Sequence, residues 1–222
     1  MLQKRSYLVK VAIALLAATV PFYAHAQDWK TEKKINVLFG GTQLLVHGFN
    51  YETNYVSKRL IVDFSHGVSL LFKEGTVPTE LKKQGVEVHM PWTIGAGVGY
   101  RLTEWLTIRV EPKWHRFEFY YENGQLPQHQ ITAYNTFTLG VGVYGSYQPF
   151  KKKENFLKGI MIAPSIRYWP TVLSTAKENN YSYYNQSTGA TEVIKTYGPG
   201  IALTSLILNV SFGYTFKIKK KK

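Results

Sequence analysis

Five residues at alternate positions, Thr107, Arg109, Glu111, Lys113 and His115, put three charges and an imidazole on one side of one segment. The residues between them, Leu106, Ile108, Val110, Pro112 and Trp114, are apolar. A period of two means an extended strand with two unlike faces. Charges gathered on one such face could form a salt-bridge network, or line a path for ions or a small solute. Other predicted strands add Glu52, Asp63, Arg101 and Arg167 in the same phase. Together, Glu52, Asp63, Arg101, Arg109, Glu111, Lys113 and Arg167 are the candidate site.

Other constellations are weaker. Asp63, His66 and Ser69 have the residue types of an acid–base–nucleophile set. At spacings of three along a strand, however, neighbours in that series face opposite sides and form no compact triad. His47, His89, His115 and His129 are too dispersed to read as a metal site. No cofactor is expected. Tyr181-Ser182-Tyr183-Tyr184-Asn185-Gln186 falls in a long predicted loop and could form an adaptable contact surface.

The elements that must position the charges are strands. Eight are predicted: Lys34 to Gly41, Leu44 to Tyr55, Arg59 to Phe72, Val86 to Arg101, Trp105 to Tyr121, Ile131 to Tyr147, Leu157 to Ser174 and Ile201 to Ile218. The segment Thr42 to Val46 is compatible with a helical turn as well. The third predicted strand puts Leu60, Val62, Phe64, Val68, Leu70 and Phe72 on the apolar face, with Asp63, Ser65, Gly67 and Ser69 opposite. In the fourth, Trp92, Ile94, Ala96, Val98 and Tyr100 alternate with Thr93, Gly95, Gly97, Gly99 and Arg101. A soluble sandwich turns its apolar faces into a core, and charge from several strands pointing the other way fits it poorly. An apolar outer band around a polar interior is the pattern of a transmembrane β-barrel.

Length, charge and targeting agree. The chain has 222 residues, a size suited to one barrel domain. Lys4, Arg5 and Lys10, the apolar run Val11 to Val20, and Ala24-His25-Ala26 read as a signal peptide over residues 1–26, leaving a barrel domain over 27–222. There is no cysteine, so closure and packing must hold an exported fold together. The formal charge is +13, and loss of the leader leaves 24 basic against 14 acidic residues, +10. Export argues against nucleic acid as the partner. Lipopolysaccharide phosphate, peptidoglycan and anionic headgroups are the expected counterparts, the latter two through Lys151–Lys153 and the tail Lys219–Lys222.

The run Gly97 to Leu106, the hairpin Phe49 to Gly67 and the closing strand Asn209 to Phe216 resemble the outer membrane protein A-type barrels and related small bacterial outer membrane barrels. The resemblance implies an all-β fold, an eight-stranded antiparallel transmembrane barrel, monomeric, in a Gram-negative outer membrane. It implies that Phe216 stands where the barrel insertion machinery reads its signal, although Lys217 to Lys222 follow. The expected role is non-catalytic: envelope integrity or surface interaction, with a charge-plugged lumen. Two rivals make distinct demands. A narrow pore or solute carrier requires a continuous aqueous lumen. An enzyme on outer-leaflet lipid requires a polar triad on the lipid side near the outer rim, which the predicted outward faces lack.

Overall fold

The computed structural model describes residues 31–73, 75–121, 127–176, 180–186 and 188–218. The expected leader and the Lys219–Lys222 tail lie outside these residues. Strands β1 (Lys33–Gly40), β2 (Phe49–Ser57), β3 (Leu60–Phe72), β4 (Val86–Arg101), β5 (Leu106–Tyr121), β6 (Gln130–Gly145) and β7 (Ile160–Tyr168) come first. Then follow β8 (Thr171–Ser174), β9 (Asn180–Asn185), β10 (Ala190–Lys195) and β11 (Leu206–Lys217). Eight of them, β1 to β7 and β11, form an antiparallel ring, closed where β1 meets β11 and where β5 meets β6. Ring closure is what allows strands to cross a bilayer with their backbone groups paired to one another. The seam between β6 and β7 is the shortest in the ring, paired from Val141 to Tyr144 with a further bridge at Tyr147.

The wall has the expected phase over most of its height. Ile108, Val110 and Trp114 of β5 are exposed, whereas Thr107, Arg109, Glu111, Lys113 and His115 are buried inside. Leu139, Val141 and Val143 of β6 and Phe212 and Phe216 of β11 also face out. Rings pair on this outer surface, Trp114 with Phe137 at 4.7 Å and Tyr214 with Phe216 at 4.8 Å between centroids. No helix among the described residues is long and apolar enough to cross a membrane. Short turns join β2 to β3 and β4 to β5 at one end. The segments between β3 and β4, β5 and β6, and β8 and β11 rise from the other. These are called the turn end and the loop end.

Several expected boundaries are corrected. The second strand begins at Phe49 because Thr42–Val46 is a 3-10 turn, closed by His47 in a left-handed conformation (φ 54°). The seventh begins at Ile160, after a 3-10 turn over Phe156–Gly159 that the Asn155 side chain caps by accepting from the Leu157 N–H. It then breaks at Trp169-Pro170, since proline has no N–H for the ladder, and β8 resumes pairing with β6. The last strand starts at Leu206, after a turn over Ile201–Leu203.

The largest correction is one of phase. Leu70 and Phe72 do not face outward; they are buried at the loop end of the barrel. Ser69 has φ 55° and is exposed on the outer wall, and Leu70 then turns inward. In β4 the register with β5 slips between His89 and Thr93, so Val86, Val88 and Met90 also point in. An inserted bulge residue exchanges the two faces of a strand beyond it. For the same reason Ser69 and His66 are on one face of the wall, not on opposite faces.

Candidate functional site: a charge-filled lumen under an apolar cap

The interior is stacked in three layers. At the turn end, Glu32 accepts from Lys34 at 3.2 Å and from Lys217 at 3.1 Å, and pairs with Arg101 at 3.7 Å. Burial works to raise the Glu32 carboxyl, but Lys34 and Lys217 outweigh it and hold the group below the ordinary carboxylate range. Arg101, expected among the other lumen charges, belongs to this lower layer and also donates to the Lys58 carbonyl at 3.0 Å. Glu32 precedes the first predicted strand and was not among the expected site residues.

The middle layer brings the other six together. Arg109 is ion-paired with Glu52 and reaches Asp63 at 3.4 Å. Arg167 lies 3.7 Å from the second Glu52 oxygen, and Lys113 lies 3.4 Å from Glu111. Three carboxylates thus face three cations, all buried. This balance matters because an unpaired charge in so narrow an interior would carry a large desolvation cost.

Neutral groups complete the layer. Tyr144 donates to Glu111, Trp169 Nε1 donates to the same oxygen at 3.1 Å, and Asn54 donates to Glu52 at 2.7 Å. Lys113 donates to Ser65. The Arg109 guanidinium stacks on the Tyr144 ring at 3.9 Å, with Arg167 4.8 Å from the same ring. Lys113 Nζ lies 4.4 Å from the Trp169 centroid. Such contacts strengthen when desolvated. His115 bridges Thr93 and Thr138 at 2.8 and 2.9 Å. Long side chains fit because glycines face them: a Cβ on Gly95 would stand 2.3 Å from Lys113, and one on Gly97 2.5 Å from Asp63.

The upper layer is apolar and was not foreseen. Leu70, Phe72, Val88, Met90, Phe117, Phe119 and Tyr134 pack inside the strand extensions, with Leu81, Tyr183, Ile194 and Leu203 joining from the loops. Phe117 and Phe119 stack on Tyr134 at 5.4 and 5.6 Å. The short helix α1 (Thr79–Lys83) and the β9–β10 hairpin close over it. Tyr183 donates to Gln84 Oε1 at 3.0 Å and Asn185 to the Gln84 carbonyl at 3.2 Å. The tyrosine-rich run is therefore a strand whose Tyr183 belongs to the cap, while Tyr181 and Tyr184 are exposed.

Tyr144 and Trp169 are the residues that phase alone could have found. Tyr144 continues the inward series of Gly140 and Gly142, and Trp169 that of Arg167. Among the described residues no three histidines or carboxylates cluster to hold a metal. Phe216 lies on the outer face opposite Ile35 of β1.

No family model and no curated protein matches the sequence. Solved structures are similar. A major outer membrane protein from Thermus thermophilus is 12% identical over 84% of this chain and 99% of its own, with a TM-score of 0.44. The N-terminal β-barrel domain of Pseudomonas aeruginosa OprF is 9% identical over 84% and 98%, at 0.41. Ail, the attachment invasion locus protein of Yersinia pestis, is 12% identical over 83% and 97%, at 0.38. The assignment rests on this chain's own geometry, a closed ring with an apolar exterior and a charged interior. By that geometry, the chain is a small, eight-stranded transmembrane β-barrel of the outer membrane type.

Proposed function

We propose that this protein is an integral barrel of a Gram-negative outer membrane with a sealed lumen, acting at its surfaces in envelope integrity or surface interaction. The observation that carries this reading is the stack itself. A balanced network of Glu52, Asp63, Arg109, Glu111, Lys113 and Arg167 lies beneath an apolar cap. A path through the barrel would have to break both, which disfavours the pore and carrier readings. Short turns face the periplasm in such barrels, so the loop end with its β9–β10 hairpin faces outward.

The partners follow from position. Membrane lipid contacts the apolar belt, and lipopolysaccharide the loop end. Lys151, Lys152 and Lys153 stand at the turn end, where peptidoglycan or anionic headgroups are within reach; the Lys219–Lys222 tail would add to them. Phe216 serves as the insertion signal, residues 1–26 are the cleaved leader, and the barrel is monomeric. Planar-bilayer recording tests the sealed lumen: reconstituted protein should show no steady conductance. Large, persistent open states in the native protein would overturn the reading.

A further inference from the structure

The outer wall near the loop end carries a polar cluster built by three neighbouring strands. Ser69 of β3 has its Oγ 3.3 Å from Nε2 of His89 in β4. The other ring nitrogen of His89 lies 3.6 Å from Oε2 of Glu118, its cross-strand partner in β5. Glu118 is itself held in place. Tyr120 donates to Oε2 at 2.8 Å and Arg116 Nε to Oε1 at 3.1 Å. A hydroxyl, an imidazole and a carboxylate in series are the arrangement that turns serine into a nucleophile. Distances slightly beyond ideal are usual for such groups before substrate binds.

Two further features set this cluster apart from ordinary surface polarity. Ser69 occupies the left-handed region, φ 55°, where a serine is uncommon, and strained positions of this kind gather at active sites. The cluster also exists only because both strands change phase. Without the bulges, Ser69 and His89 would sit on the lumen side with Gly67 and Thr93. Exposed Val68 and Phe49 lie beside Ser69 on the lipid-facing wall. The 3-10 turn packed against β3 exposes Leu44 and Leu45 nearby. The hydroxyl therefore stands at the boundary between polar rim and lipid.

We propose that Ser69, His89 and Glu118 form a serine esterase site directed at acyl esters of membrane lipids. In the first step Ser69 Oγ bonds to the ester carbonyl carbon while its proton passes to His89 Nε2. The tetrahedral adduct collapses, the ester C–O bond breaks, and His89 returns the proton to the departing alcohol. Water then attacks the acyl-serine with His89 again as base, and a free fatty acid and the serine hydroxyl are regenerated. Glu118 is the positioning residue, orienting the imidazole. This goes beyond the sealed-lumen reading and is independent of it.

The test is active-site labelling of the barrel in detergent or lipid with a fluorophosphonate, with the modified peptide mapped. The fold is checked in every variant by the heat-dependent shift on gels. The native barrel should label at Ser69, and heat-unfolded protein and Ser69→Ala should not. His89→Gln should slow labelling by about 10²–10⁴-fold, the usual contribution of a general base. Glu118→Gln should lower kcat with KM little changed, and Glu118→Asp should restore part of the loss, which a purely structural role would not do. Fatty-acid release is then measured from micelles of glycerophospholipid and, separately, of an acylated glucosamine lipid; release from either identifies the source of the ester. No labelling of Ser69 in the folded native barrel overturns the site. Labelling without fatty-acid release from either lipid overturns the lipid substrate.

Discussion

Gly140 lies against the indole of Trp169, so closely that a Cβ on the glycine would stand 1.7 Å from Trp169 Cδ1. Gly140 is also the cross-strand partner of Glu111, the carboxylate to which that indole donates. The bare backbone at Gly140 leaves room inside the lumen for the Trp169 indole to lie against the central charges.

Gly140→Ala should therefore destabilise the barrel by about 1–3 kcal/mol, the usual cost of overpacking a filled interior. Urea unfolding of the reconstituted protein gives the value. In a Trp169→Ala background the same substitution should cost little, because residues in contact are non-additive. An equal cost in both backgrounds would show that the indole is not the obstacle.

Glu111 holds Lys113, Tyr144 and Trp169 at once. Glu111→Ala leaves a buried cation without its carboxylate and should cost about 3–5 kcal/mol. Glu111→Gln retains an acceptor oxygen and should fall between native and alanine. The same unfolding measurement orders the three proteins, and a glutamine variant as weak as the alanine one would mean that charge, not hydrogen bonding, dominates.

Val110 is exposed on the lipid face between Ile108 and Pro112, well inside the belt. Val110→Arg should cost about 2–4 kcal/mol, as cations do near the midplane of such barrels. Thr107→Val, on the inner face beside a turn, should be much milder. Val193→Arg, on the exposed face of β10, should stay within about 0.5 kcal/mol, as surface changes usually do.

Fluorescence separates the two faces directly. Trp114 is 48% exposed on the outer wall and Trp169 is 5% exposed within the lumen. In single-tryptophan variants refolded into lipid with brominated chains, the Trp114 emission should be strongly quenched and the Trp169 emission nearly unaffected. Comparable quenching of both would contradict the interior position of Trp169.

Most of the wall is legible in the sequence because alternation is a local signal. From Leu106 to His115, and from Phe137 to Val143, each side chain's face follows from its parity. The charges Glu52, Asp63, Arg109, Glu111, Lys113 and Arg167 could be placed inside by that parity. Their partners could not. Which cation meets which carboxylate depends on the shear between strands, and on Tyr144 and Trp169 coming between them.

What the sequence by itself determined is thus the transmembrane barrel, the eight strands of its ring and the six charges at its centre, since all three follow from period two and composition. Glu32 and Lys34 of the lower layer were not among the expected charges. The tertiary structure alone decided the apolar cap, the separation of Arg101 into a lower layer, and the meeting of Ser69 with His89 and Glu118. The cap and the Ser69 cluster share one physical reason, whereas Arg101 is placed by its pairing with Glu32 at the turn end. One bulged residue reverses the faces of everything beyond it, and Ser69 and the slip between His89 and Thr93 do so without any change of composition to announce them.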